Sequence, residues 1–130
     1  MSKERVVALE TAIPILPVTD LSEALDYYQR VLGFEIAWTW GEPPQLASVC
    51  RDRIEFNLAH RPGLSQTASG EPGADKVYVR MAGIDEFYRT IKAAGAEVIV
   101  PLDDRHYGLR DFRLADPSGN EISFGEVIGE

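Results

Sequence analysis

Glu55 and Asn57 stand two residues apart in "RIEFNLAH", as do Tyr78 and Arg80 in "KVYVRM" and Asp111 and Arg113 in "DFRLAD". On an extended chain a spacing of two places both members of each pair on one face. The intervening Ile54, Phe56 and Leu58, Val77, Val79 and Met81, and Phe112 and Leu114 then form the opposite, core-facing side. The polar face would mix carboxylate, amide, phenol and guanidinium, a set able to orient a polar ligand. It could also pair internally: an unpaired charge on a recessed face is costly, so Glu55 is expected to find Arg80, Arg113 or Lys76. Tuned by burial and neighbours, Glu55 could serve as a general base.

The tryptophans Trp38 and Trp40, in "AWTWGEPP", are the only two. They share one face of a strand end beside a Gly/Pro turn. Indoles there stack on planar ligands and bury large area at low entropic cost. The competing role is packing beneath the loop or in a subunit interface. Tyr107, in "RHYGLRDF", lies on the loop entering the final hairpin, placed to act as a lid. Other chemistries find no support. His60 and His106 have no partner at metal-ligand spacing and read as exposed loop residues. No Ser-His-Asp or Cys-His order stands out, and "SGEPG" lacks the Lys and helix of a phosphate loop. Cys50, in the apolar run "QLASVC", reads as a small core residue.

The elements that must position these groups are written twice. "AIPILPVTD" is a strand, and Asp20 caps the helix "LSEALDYYQRVLG", with Glu23 three residues on as in a capping box. Leu21, Ala24, Leu25, Tyr28 and Leu32 form its apolar stripe, and Gly33 ends it. "FEIAWTW", "QLASVC" and "RIEFNLAH" follow as strands. The second half repeats the order: "KVYVRMAG", the helix "IDEFYRTIKAAG" ending at Gly95, "AEVIVP", and a hairpin of "DFRLAD" and "EISFGE" around the turn Pro117-Ser118-Gly119-Asn120. "GFEI" and "GAEV" recur 62 residues apart. The 130 residues therefore form a single α+β domain of two βαβββ modules, at about residues 10–61 and 75–126. The joining "RPGLSQTASGEPGAD" is Gly-, Pro- and Ser-rich, a candidate mobile flap.

Composition narrows the class. The net charge of −8 argues against a nucleic-acid partner. One cysteine rules out an internal disulfide framework and fits a reducing cytoplasm. No apolar run approaches membrane-spanning length, and "MSKERVVALE" has no signal-peptide core.

A tandem βαβββ chain ending in "DPSGNEISF" resembles the glyoxalase/bleomycin-resistance/extradiol-dioxygenase superfamily, the vicinal oxygen chelate fold, over about Ala12 to Glu126. "AIPILPVTDLSEALDYYQRVLGF" is most similar to its drug-sequestering bleomycin-resistance branch. The resemblance implies two four-stranded sheets rolled around a cleft, helices outside, and a homodimer with clefts at the subunit interface. Metalloenzymes of the superfamily carry ligands at four strand positions, which the resemblance carries onto Ile13, Glu55, Lys76 and Ser123. Ile13 has no lone pair, Lys76 would repel a cation, and Ser123 is a weak neutral ligand. Only Glu55 could coordinate.

The expected function is thus metal-free, cofactor-free binding of a planar or cationic small organic molecule. Sequestration of an antibiotic such as bleomycin is the family precedent. Trp38, Trp40, Glu55, Asn57, Tyr78, Arg80, Tyr107 and Arg113 would line the site. The alternative is a divalent-metal-dependent glyoxalase- or dioxygenase-type enzyme, a lyase or oxidoreductase.

Overall fold

The computed structural model describes residues 5–64 and 68–129. Ten elements follow in order: β1 (Ile15–Val18), α1 (Leu21–Arg30), β2 (Glu35–Trp40), β3 (Leu46–Arg51), β4 (Ile54–His60), β5 (Val77–Arg80), α2 (Ile84–Ala93), β6 (Glu97–Asp104), β7 (Leu109–Ala115) and β8 (Glu121–Val127). They form two four-stranded sheets of identical design, β1-β4-β3-β2 and β5-β8-β7-β6. In each, the first strand runs parallel to the last and the remaining pairs are antiparallel. The architecture is α+β, two mixed sheets with one helix apiece.

The helix ends follow the sequence signals. Asp20 sits in extended conformation and its carboxylate accepts the Glu23 N–H at 3.0 Å, supplying one of the four amides a helix start leaves unpaired. Gly33, at φ +74°, turns the chain out of α1, and the Phe34 N–H returns to the Tyr28 carbonyl at 2.8 Å. α2 starts differently. Its N-cap, Gly83, has no side chain to offer, and the Glu126 carboxylate from β8 accepts the Ile84 N–H at 2.9 Å instead.

Both helices bury an apolar stripe against one continuous core. Leu21, Ala24, Tyr28 and Leu32 are buried as expected, and Tyr27 joins them. Phe34 stacks on Phe56 at 5.4 Å and Phe112 on Phe124 at 5.5 Å, one stacked pair under each sheet.

The DPSGN turn does more than reverse the chain. The buried Asp116 carboxylate accepts the Ser118 and Asn120 amides, the Asn120 side-chain amide and, at 2.8 Å, the Tyr28 hydroxyl from α1. Asn120 Nδ2 also donates to the Pro17 carbonyl, and the Thr19 amide donates to Ser118 Oγ. A turn in the second half of the chain thereby fastens β1 and α1 of the first half.

The expected flap is tied down where it is described. The Ser69 and Gly70 amides donate to the buried Glu121 carboxylate, and Arg113 donates to the Glu71 carbonyl at 2.6 Å. Residues 65–67 of that segment lie outside the described residues. Burial alone would raise the Glu121 carboxyl. The Ser69 amide, the Arg113 guanidinium and the Gly70 amide outweigh it and hold the group below its ordinary 4.5. A carboxyl lowered by folding stabilises above its unfolded pKa, and that stability drains as pH falls through the folded value. Hydrogen-exchange protection of the Ser69 and Gly70 amides is therefore expected to be lost as pH falls below the ordinary 4.5 and through the lowered folded value of Glu121, while that of β4 persists. Protection of these amides that persists through acid until β4 itself opens would contradict this anchoring.

Candidate functional site

Each sheet has one face against the helices and one open face. On the first sheet the cross-strand registers Ile15↔Asn57, Asn57↔Ser48 and Ser48↔Trp38 define a row running across all four strands. A second row joins Pro17, Ala59, Leu46 and Trp40. Directly opposed residues share a face, so Trp38, Trp40, Asn57 and, two residues along β4, Glu55 lie together on the open side. Trp38 is 42% exposed and Trp40 67%. Neither indole packs beneath the neighbouring loop.

A register shift between Ile36 and Trp38 makes this arrangement possible. Ile36 opposes the fully buried Val49 on the helix side, whereas Trp38 opposes Ser48 on the open side. One extra residue, Ala37, changes the face.

Glu55 does not meet the arginines expected for it. The buried Ser48 hydroxyl donates to its Oε2 at 2.6 Å. Asn57 Oδ1 is buried and has no hydrogen-bond partner among the described residues. A buried acceptor left open in this way is costly unless a donor arrives to meet it. Cys50 opposes Glu55 and is half-buried, so it belongs to this open face rather than to the core. His60 is also misplaced by sequence reasoning: it ends β4, half-buried, with Nδ1 3.4 Å from Gln45 Oε1. His106 is an exposed loop residue, as expected, edge-on to Tyr107.

The open face of the second sheet is organised around Asp111. Its Oδ2 accepts the Tyr78 hydroxyl at 2.8 Å and the Tyr107 hydroxyl at 2.6 Å, and its Oδ1 accepts Arg105 Nε at 2.7 Å. Burial would raise this carboxyl, but Tyr107, Arg105 and Tyr78 together hold it below the usual carboxylate range. Burial and the bonds to Asp111 in turn push both phenols up. A tyrosine hydroxyl has one proton to give. Tyr78 and Tyr107 both give theirs to Asp111, so toward solvent they present lone pairs only. The two phenols are hydrogen-bond acceptors with aromatic walls.

Gly125 makes room for this cluster. It lies between Arg80 and Asp111 in the sheet, and a Cβ there would strike the Tyr78 hydroxyl and stand 2.6 Å from its ring Cζ. Gly125→Ala should leave the fold intact but swing Tyr78 off Asp111, at about 1–2 kcal/mol. Tyr78→Phe removes the same bond, so in a denaturant-melt double-mutant cycle the two losses should fall well short of additive. Full additivity would show that the glycine serves something other than Tyr78.

Two further positions differ from expectation. Arg113 is not available to a ligand. It donates to Glu121, Ser123 and the Glu71 carbonyl and lies 3.5 Å from Asp75, with its side chain 12% exposed. It holds the inter-module loop. Lys76 precedes β5 and pairs through its backbone with Glu121, whereas Tyr78 is the residue opposite Ser123. Arg80 stands exposed on the open face with no hydrogen bond or ion pair among the described residues.

Of the four positions that the resemblance carries over, Ile13 has no lone pair, Lys76 stands just before β5, and the buried Ser123 hydroxyl takes a bond from Arg113, which leaves Glu55 and, opposite Ser123, the Tyr78 phenol. Among the described residues no three His, Cys, Asp or Glu side chains converge on a point. One carboxylate with a phenol and a hydroxyl does not fit a divalent ion.

A sequence profile of the glyoxalase/bleomycin resistance protein/dioxygenase superfamily matches residues 8–124. The chain belongs to that superfamily. Among curated proteins, the bleomycin resistance protein of Geobacillus stearothermophilus is 30% identical over 131 residues, covering 90% of this chain and 96% of that protein. A Staphylococcus aureus bleomycin resistance protein matches to the same extent. Among solved structures, a bleomycin-binding protein complexed with bleomycin superimposes with a TM-score of 0.76 at 23% identity, covering 92% of this chain and all of that one. A superfamily member from Alicyclobacillus acidocaldarius gives 0.78 at 21% identity, over 92% of each chain. These structures share the fold of this superfamily member, and the curated relatives place its sequence with the bleomycin-resistance branch. No helix among the described residues is long and apolar enough to cross a membrane.

Proposed function

We propose that this protein is a metal-free, cytoplasmic small-molecule binder of the bleomycin-resistance type. It captures a planar or cationic organic ligand in a cleft completed by a second copy of the chain. The observation that carries the reading is the row Trp38–Ser48–Asn57, which sets exposed indoles and a partnerless amide oxygen beside the Glu55 carboxylate. Indole faces attract flat and cationic groups, and Glu55 and Asn57 accept from a donor-bearing end. The net charge of −8 steers cations inward.

The homodimer is supported by apolar surface that one chain leaves bare. Ile15 is 63% exposed, Val127 is 52% exposed, and Val6, Val7 and Leu9 are each at least 90% exposed. Large apolar side chains left this bare are suited to burial against a second chain. Within the reading, Trp38, Trp40, Glu55, Asn57, Tyr78, Arg80 and Tyr107 contact ligand, while Arg113 supports the loop behind them.

Calorimetric titration with bleomycin is the direct test. Saturable binding by apo protein dialysed against chelator, near one ligand per chain, is expected. No heat from bleomycin or from a panel of planar cations would overturn the reading. So would affinity that appears only after a divalent metal is added. Sedimentation at micromolar concentration should give a dimer.

A further inference from the structure

Behind the sheets, away from the tryptophans, the two halves of the chain leave a groove of about 780 Å3 between them. The end of α1, the β3–β4 turn, the end of β5 and one side of α2 form its walls. Its floor is apolar, with Ile54, Met81 and Phe87 among the lining residues. The volume falls within the range typical of small-molecule pockets, which favour boundaries between folding units.

The charge of this groove runs against that of the protein. The chain carries 21 acidic and 13 basic residues, yet, leaving aside Arg80, whose side chain stands on the open face, the groove is lined by three arginines and only two acids. Arg51 is fixed in place. Its Nη1 donates to the Leu32 carbonyl at 2.8 Å and its guanidinium lies 5.3 Å from the Phe87 ring centre. Gly33 leaves it space, since a Cβ there would stand 2.8 Å from Nη1. The side chain remains 45% exposed, with N–H groups to spare. Arg53, two residues on, is exposed and has no hydrogen bond or ion pair among the described residues.

We infer that this groove is a second ligand site, distinct from the tryptophan face, for an amphipathic anion: an apolar body lying on Phe87, Met81 and Ile54 with a carboxylate or sulfonate held by Arg51 and Arg53. A pre-positioned guanidinium over an apolar wall recognises planar oxyanions bidentately. The apolar floor gives affinity only to a ligand with a hydrocarbon or aromatic body. Inorganic anions alone should therefore bind poorly.

The test uses the full chain and the fluorescence of anilinonaphthalene sulfonate, under conditions where near-ultraviolet circular dichroism shows native packing. Saturable binding is expected, displaced by dodecanoate but not by dodecylammonium. Arg53→Glu should weaken it about tenfold, the loss of one charge-assisted bond plus repulsion. Ala82→Trp, at an exposed wall position, should block it sterically. Trp38→Ala should leave it within about twofold, and bleomycin should not compete, because those belong to the other face. Equal displacement by the ammonium and the carboxylate would overturn the proposal. So would loss of binding in Trp38→Ala with retention in Arg53→Glu. Failure here leaves the bleomycin titration unaffected, so the two sites are judged separately.

Discussion

Trp38→Ala and Trp40→Ala should each weaken bleomycin-class binding by about 1–3 kcal/mol, or roughly 5- to 150-fold, without lowering the melting temperature. The size follows from losing an aromatic anchor. The unchanged stability follows from exposure: neither indole contributes to the buried core of the chain. Glu55→Gln keeps an acceptor for the Ser48 hydroxyl while removing the charge, so it should harm cationic ligands more than neutral ones. Tryptophan fluorescence backed by calorimetry on each variant measures all three. Wild-type affinity in all three variants, with a weakened dimer in the tryptophan pair, would reassign the indoles to the subunit interface.

The largest stability effect is expected at Asp116. Asp116→Ala removes the acceptor for four donors at once, two of them backbone amides in a buried turn and one the fully buried Tyr28 hydroxyl. Orphaning a buried network of this kind costs about 3–5 kcal/mol. In a chain of this size that lowers the melting temperature by about 10 °C or more. Asp116→Asn can still accept the two amides through its oxygen, but it turns a donor toward Tyr28 and Asn120, and it should lie between. Tyr28→Phe should cost about 1–2 kcal/mol, because only one partner is lost. A thermal melt of Asp116→Ala within about 2 °C of the parent, less than 1 kcal/mol on that scale, would show that the turn does not fasten the two halves.

The local signals are legible in the sequence because their causes are local. Asp20 caps α1 through an amide three residues away, and Gly33 and Gly95 end helices through their own positive φ. The repeat of strand, helix and three strands gave both sheets. What escaped depends on residues distant in the chain or on a single inserted residue. The bulge at Ala37 puts Ile36 and Trp38 on opposite faces despite a spacing of two. Nothing in "FEIAWTW" announces it. Cys50 sits in an apolar run, yet its register beside Glu55 turns it to the open side. Arg113 alternates onto the open face as expected, but Glu71 and Asp75 arrive from about 40 residues away and occupy it. The register sets Tyr78 opposite Ser123, and nothing in "KVYVRM" reveals where β5 enters that parallel pairing. The Asp111 cluster had a visible clue, two tyrosines and an arginine near one aspartate, but its geometry needed the sheet.

The fastening between the DPSGN turn and the first strand and helix has a consequence for synthesis. The bonds Thr19–Ser118 and Asn120–Pro17 join positions 99 and 103 residues apart. At ribosomal speeds of about 5–20 residues per second, α1 is made roughly 5–20 s before the turn that secures Tyr28. Closing so long a loop is entropically expensive, and contacts of this span form late and slow the whole reaction. The first half of the nascent chain can therefore lay α1 on its own sheet, but it must wait for the bonds that fasten Tyr28 and the end of β1.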